Sequence, residues 1–311
     1  MNAERRACRK LFAVVALLAV MAPAAYAADR TDAARNAAQN DEDCKKIGDF
    51  YWEIGDVNGV LANGSIGTEY NANTEMKLAS ASKFVWGAYV LQKLGSKQPT
   101  AEQLSFLEMR SGYTKLNPFL CLFSKTSDDC LKKRDNGEQV SSDVGRFHYS
   151  GGHDQKLAQI LGLGGDNAQQ FTNEVMGYIG RDIKLSYAQP SPAGGMQGTP
   201  SAYGAFLRKI LAGKLRMHDF LGADPVCTKC STASYSPAPW AWHYSINHWV
   251  EDDPNGDGAF SSPGLMGFYP WISADKKTYG LVARQKLSKS AYVDSAVCGR
   301  DIRKAWMSAS N

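Results

Sequence analysis

MKLASASKFVWGAYVLQKLG, residues 76–95, sets a hydroxyl and an amine three positions apart, at Ser80 and Lys83. Residues i and i+3 share one face of a helix, so the lysine reaches the serine if this stretch is helical. Apolar residues recur at helical spacing over 77–94, and Gly95 follows as a stop signal. The pattern predicts a largely buried helix with the Ser80 pair at its start. A serine hydroxyl is a weak nucleophile without a base beside it, and S-x-x-K puts a lysine in that place. Such four-letter patterns are common on helix surfaces, so this one takes its meaning from the rest of the chain.

Upstream, residues 50–70 read FYWEIGDVNGVLANGSIGTEY, in which Asn58-Gly59 and Asn63-Gly64 punctuate aromatic and aliphatic runs. That is a strand, turn, strand signal. Downstream, 101–221 reads as mainly helical, most regularly over 202–215, where Phe206, Ile210 and Leu211 share a stripe. Strands return at 242–250, 265–272 and 279–284, joined by turns at Asp253-Pro254-Asn255-Gly256 and Ala274-Asp275-Lys276-Lys277, and a last helix is expected within 290–305. Strands at both ends with helices between predict an α/β (α+β) fold: an antiparallel sheet flanked by helices, plus a mainly helical subdomain. There is no internal repeat, and residues 28–311 are long enough to bury the core of one domain.

The first residues read as an address. Arg5, Arg6, Arg9 and Lys10 precede an apolar run over 11–21, and Ala25-Tyr26-Ala27 is a small-x-small cleavage site. Residues 1–27 are therefore expected to be a secretory signal peptide, and the mature protein periplasmic or secreted. Arg5-Arg6 invites the twin-arginine route, but the residues after it fit the general route better. No segment is apolar for long enough to predict a membrane span. Residues 28–45 are polar and Ala-rich, and read as a loose arm or short helix. Without the four basic residues and Glu4, the formal net charge falls from +4 to +1, which gives no electrostatic case for nucleic acid. Six of the seven cysteines remain, an even number that suggests disulfides in an exported chain. Cys44–Cys298, Cys121–Cys130 and Cys227–Cys230 are the pairing expected here, although six cysteines allow fifteen. Cys227-Thr228-Lys229-Cys230 has no second pair to make a metal site, so it reads as a loop staple.

Four blocks in order resemble the serine β-lactamase and penicillin-binding-protein superfamily, above all its class C β-lactamase-like esterases and D-peptidases. The first is Leu78-Ala79-Ser80-Ala81-Ser82-Lys83 with its helix. Phe106-Leu107-Glu108-Met109-Arg110-Ser111-Gly112-Tyr113 is similar to that family's segment after the nucleophile helix. Phe147-His148-Tyr149-Ser150-Gly151-Gly152, followed by a Gln-x-Leu-Ala-x-Ile-Leu helix at 155–161, resembles its F-x-Y-S-N block. Ala193-Gly194-Gly195-Met196 with the helix at 202–207 is similar to its GGM block. Together they span about residues 50–290.

The resemblance implies a β-lactamase/transpeptidase-like fold and an acyl-enzyme on Ser80, with Lys83 as its base and Tyr149 as proton shuttle. A free lysine holds its proton to about pH 10.4, so acting as a base requires burial and neighbouring positive charge. Gly151 stands where the family has Asn, and His153 nearby reads as a satisfied surface histidine. The family's third motif aligns with Ser262-Pro263-Gly264, which implies an oxyanion hole from the N–H groups of Ser80 and Leu265 and lacks the usual cation at 262. Lys277-Thr278-Tyr279-Gly280, a rival for that motif, reads as a hairpin turn. Asp253-Pro254-Asn255-Gly256-Asp257-Gly258 has the first half of a calcium loop, but Gly264 occupies the acid's twelfth position, so it reads as an acidic turn. Tyr235, Trp240, Trp242, Tyr244 and Trp249 can wall an apolar pocket or pack in the core.

The expected protein is a monomeric exported serine hydrolase acting on a small-molecule ester or amide, with no cofactor, no metal, no nucleic acid and no membrane span. A β-lactamase or D-Ala-D-Ala peptidase, and a non-catalytic ligand-binding member of the fold, are the alternatives.

Overall fold

The computed structural model describes residues 22–309, so residues 1–21 of the expected signal peptide lie outside the described residues. The strands are β1 (Phe50–Gly55), β2 (Val60–Ile66), β3 (Met76–Lys77), β4 (Phe147–His148), β5 (Leu185–Tyr187), β6 (Met196–Gly198), β7 (Val226–Cys227), β8 (Ala233–Tyr235), β9 (His243–Tyr244), β10 (Trp249–Val250), β11 (Phe260–Ser261), β12 (Tyr269–Ile272) and β13 (Tyr279–Ala283). The helices are α1 (Ala22–Asn40), α2 (Glu42–Lys46), α3 (Ser82–Lys93), α4 (Ala101–Leu107), α5 (Ser127–Leu131), α6 (Gly152–Ile160), α7 (Ala168–Ile179), α8 (Pro200–Leu211), α9 (Met217–Phe220) and α10 (Ala291–Ser308). Eight strands form one antiparallel sheet in the order β2-β1-β13-β12-β11-β10-β9-β7, so β1 and β13, from opposite ends of the chain, lie side by side in it. The α/β (α+β) expectation holds: this sheet is covered by helices, and most of the remaining helices fall between β2 and β7 in the sequence.

Every residue of β1 is buried, because both faces of the sheet are covered. Side chains alternate along a strand, and the two cores follow that alternation. Phe50, Trp52, Ile54, Tyr269, Trp271 and Val282 pack with Ala34 and Ala38 of α1 and Ile302 and Trp306 of α10. Tyr51, Ile272, Tyr279, Leu281 and Ala283 pack on the other side with Phe84 and Val85 of α3 and Phe206 and Ile210 of α8. The helix carrying Ser80 and Lys83 is thus the buried helix against one face of the sheet.

Three local expectations are corrected. Of the two readings of residues 28–45 the helix holds and the loose arm does not: α1 and α2 bury Ala34, Ala38 and Cys44, and Cys44 pairs with Cys298 of α10 at a Cα–Cα distance of 4.7 Å. Small alanines allow close helix approach, which composition alone does not reveal. Residues 242–250 are a hairpin and not one strand, because Ser245 N–H donates to the His248 carbonyl (2.8 Å) and Asn247 turns the chain at φ 54°. The strand expected from 265 begins only at Tyr269, since Gly264 N–H donates to the Phe268 carbonyl (2.7 Å) and Gly267 takes φ 100°, closing a turn over 264–268. The other two cysteine pairs, Cys121–Cys130 and Cys227–Cys230, also stand paired as expected.

The acidic turn at 253–258 closes on arginines from α10. Asp253 accepts from Arg300 (3.0 Å) and from Trp242 Nε1 (2.6 Å), and Asp257 accepts from Arg303 (2.6 Å). Arg303, 1 % exposed, also donates to Glu251 (2.7 Å) and to the Tyr269 hydroxyl (2.8 Å). These guanidinium groups take the carboxylates that a calcium ion would need. Removing one partner of such a buried network strands the other charges, so Arg303→Ala is expected to cost about 3–5 kcal/mol in a urea unfolding titration. A loss under about 1 kcal/mol would mean that water replaces the guanidinium there.

Candidate active site

The turn that carries Ser80 is held from several directions. Leu78 is buried and its N–H donates to the Met196 carbonyl (2.9 Å), while Ala79 takes the left-handed φ of 47° that starts the 3-10 turn Ala79–Ala81. Ser82 Oγ accepts from Met196 N–H (3.2 Å), and the Tyr203 hydroxyl donates to the Ala81 carbonyl (2.8 Å). Ser262 Oγ donates to the Ser80 carbonyl (3.0 Å). Ser80 is left half-buried, and Lys83 is 3 % exposed beneath it. Lys83 Nζ donates to Ser80 Oγ (3.2 Å) and to the Ala193 carbonyl (3.0 Å). The first and fourth sequence blocks therefore meet at this amine.

Tyr149 follows β4, where its N–H donates to the Tyr235 carbonyl (3.1 Å). Its ring stacks on Trp249 at 5.3 Å and lies with its centroid 4.8 Å from Lys83 Nζ. Ammonium over an aromatic face is an attractive arrangement. Gly151 caps the start of α6, and a Cβ there would lie 3.0 Å from Ala193 Cβ and 3.1 Å from Leu116 Cδ2. His153, expected on the surface, is fully buried. Its Nε2 donates to the His148 carbonyl (2.9 Å), which leaves Nδ1 to accept from Ser111 Oγ (2.7 Å). Burial holds that imidazole neutral down to about pH 4, so His153 binds the second block to the third as a neutral link.

Gly264 lies against the turn that carries Ser80, where a Cβ would stand 2.3 Å from the Leu78 carbonyl oxygen. Only glycine fits that approach. Leu265 is exposed beside it, and its N–H makes no hydrogen bond among the described residues. Ser80, Tyr149, Pro263 and Leu265 share a cleft, partly open to solvent, with Pro237, Ala238, Trp240, Trp242, Trp249 and Tyr292. No charged side chain lines it. Of the aromatic cluster read in the sequence, the three tryptophans face the cleft, Tyr244 packs behind Tyr149 and Trp249, and Tyr235 lies tilted against His148. Of Lys277-Thr278-Tyr279-Gly280, expected as a hairpin turn, Lys277 and Thr278 lie in the turn, whereas Tyr279 and Gly280 open β13 and pair with Ile272 and Trp271.

Sequence reasoning missed Asp154. It is fully buried in the first turn of α6, where Asn247 Nδ2 donates to its Oδ1 (2.9 Å). An acid in a first helical turn ordinarily reads as a response to the helix dipole, so nothing marked this one. Among the described residues the grouping able to hold a metal is Asp41, Asp43 and Asp301, and none of the three lines the cleft. Gly151→Asn, which restores the family's residue, is expected to lose about 1–3 kcal/mol by overpacking Ala193 and Leu116. Unchanged thermal stability would show that those side chains yield freely.

No protein-family model and no curated protein matches the chain. Solved structures do. A protein from Bacteroides dorei provisionally described as a β-lactamase superimposes with a TM-score of 0.63 at 18% identity, covering 83% of this chain and 93% of that one. EstCE1, described as a hydrolase with promiscuous acyltransferase activity, gives 0.62 at 12% identity over 90% and 99% of the two chains. Unliganded simvastatin synthase from Aspergillus terreus gives 0.60 at 14% identity over 90% and 98%. Likeness at these identities speaks for architecture, and it agrees with the central antiparallel sheet and with the buried helix behind Ser80: the chain has the fold of the serine β-lactamase and penicillin-binding-protein superfamily.

Proposed function

We propose that this protein is an exported serine hydrolase that cleaves a neutral ester or compact amide through an acyl-enzyme on Ser80. The observation that carries the reading is the 3.2 Å hydrogen bond between Lys83 Nζ and Ser80 Oγ at the foot of an aromatic cleft. Ser80 Oγ attacks the substrate carbonyl and gives up its proton, for which Lys83 and Tyr149 are the candidate acceptors. The tetrahedral oxyanion is taken by the N–H groups of Ser80 and Leu265. Collapse expels the protonated leaving group, and water repeats the sequence on the acyl-enzyme.

The cleft supports an apolar, uncharged substrate. The Ser262 hydroxyl is engaged with the Ser80 backbone, and Gly151 offers no amide, so neither supplies the anchors of a carboxylated antibiotic. An expected signal peptide and three cysteine pairs support export to an oxidising compartment. No helix among the described residues is long and apolar enough to cross a membrane. EstCE1, with its stated hydrolase and acyltransferase activities, makes acyl transfer on this fold a reasonable expectation.

Hydrolysis of nitrophenyl butyrate should fall by about three orders of magnitude or more in Ser80→Ala, and a fluorophosphonate adduct should appear in the intact mass of wild type and be absent from that variant. Faster turnover of a chromogenic cephalosporin would reassign the protein as a β-lactamase. Absence of any adduct from fluorophosphonate, penicillin and ester alike would leave a non-catalytic binding protein. The aromatic wall makes a second test: Trp240→Ala should raise KM about tenfold for a naphthyl ester and leave an acetyl ester unchanged. Equal effects on both would remove the tryptophan from acyl recognition.

A further inference from the structure

We infer that the turn at residues 118–123 is a docking surface for a lipid bilayer that carries anionic phospholipid. Its exposed side is apolar: Phe119 is 77 % exposed, Leu122 47 % and Phe123 91 %. A single exposed leucine needs no explanation, but three large apolar side chains on one short turn do. Nor is the turn loose chain. Asn117 Oδ1 accepts from Phe119 N–H (3.0 Å), Ser124 N–H donates to the Cys121 carbonyl (2.9 Å), and Cys121 is paired with Cys130. The fold thus holds both phenylalanines out in water.

Basic side chains border this tip. Lys133 Nζ donates to the Leu120 carbonyl (2.8 Å), which sets one ammonium against the turn itself. Lys125, Lys132 and Arg134 are exposed, and none of them has an ion pair among the described residues. The acids nearby are engaged: Asp128 accepts from Gln159 (2.8 Å), Asp129 from the Thr126 N–H (3.2 Å), and Glu138 and Asp135 are held by Lys115 (2.8 and 3.6 Å). Residues 119–134 therefore carry four basic side chains against two acidic ones. Interfacial binding needs these two contributions together, apolar side chains that enter the acyl boundary and cations that meet the lipid phosphates. The charges also select among occupants. A second copy docked face to face would set each basic border against its own like, and an uncharged apolar partner would leave the cations without a counter-charge.

The loop that bears the turn rests on the candidate site. Gln189 Nε2 donates to the Leu122 carbonyl (3.2 Å), and Leu116 Cδ2 stands 3.1 Å from where a Cβ of Gly151 would lie. Both contacts fall on the segments that carry Tyr149 and Ala193, so a bilayer docked here meets the protein beside a cleft that no charged side chain lines. The surface itself does not depend on the chemistry assigned to Ser80.

Flotation of the full-length mature protein with vesicles tests this, using phosphatidylcholine alone and phosphatidylcholine with a third of phosphatidylglycerol. In low salt the anionic vesicles should bind the protein about tenfold or more tightly than the zwitterionic ones, and added NaCl should narrow that gap. The double variant Phe119→Ser, Phe123→Ser should bind the anionic vesicles about tenfold or more weakly than wild type. The triple variant Lys125→Gln, Lys132→Gln, Arg134→Gln should lose a similar factor and most of the salt dependence. All five side chains are exposed, so both variants should melt with wild type. No flotation of wild type with anionic vesicles, equal affinity for the two vesicle types, or a double variant that binds as wild type does would each overturn the proposal. A wild-type dimer that the double variant dissolves would overturn it in favour of an interface between copies of this chain.

Discussion

Burying the Lys83 amine is the demand around which the rest of the site is arranged. An amine out of water is costly unless its N–H groups find acceptors, and here they find Ser80 Oγ and the Ala193 carbonyl. Neither acceptor is placed by α3 alone. The Ala193 carbonyl comes from the loop before β6, whose strand also holds Leu78 and Ser82 through Met196. The Ser80 backbone is fixed by Ser262 from the far end of the chain. A hydroxyl that would be idle on a free helix is thereby oriented toward a cleft.

The cleft depends on charges that never touch it. Trp242 reaches Asp253 through its indole N–H, and Arg300 lies 5.3 Å from the Trp240 ring and 5.7 Å from that of Trp242. Arg300 and Arg303 belong to α10, which Cys44–Cys298 ties to the N-terminal helices. A buried ionic cluster of this kind contributes less to net stability than to uniqueness of arrangement, since apolar replacements of equal volume fold as well in other proteins. In this fold it holds two indoles in a stack 4.4 Å apart at the wall of the cleft.

Much of the architecture was legible because its signals are local. The β1–β2 hairpin announced itself through its aromatic and aliphatic runs and the turn at Asn58-Gly59, although Asn63-Gly64 lies within β2 and not in a turn, and α3 and α8 through helical apolar spacing, closed after α3 by Gly95. Other elements carried signals that pointed elsewhere. Residues 245–248 form a buried turn in which His248 also accepts from Gly222 N–H, so the hairpin hid inside a stretch that reads as one strand. The turn at 264–268 depends on Gly267 and on the close pass of Gly264 over Leu78, a contact across most of the chain. Ala34 and Ala38 became core residues because α10 lies beside them.

From sequence alone came the strand, helix and turn signals, the even set of cysteines and the candidate pair at Ser80 and Lys83, because each depends on residues within a turn or two of one another. Tertiary structure alone decided what surrounds that pair. That His153 is a neutral link, that the Ser262 hydroxyl is engaged with backbone, and that Asn247 reaches the buried Asp154 all follow from groups more than forty residues apart in sequence being brought into contact. Burial and charge act through space, and a linear pattern records only which groups are available to feel them.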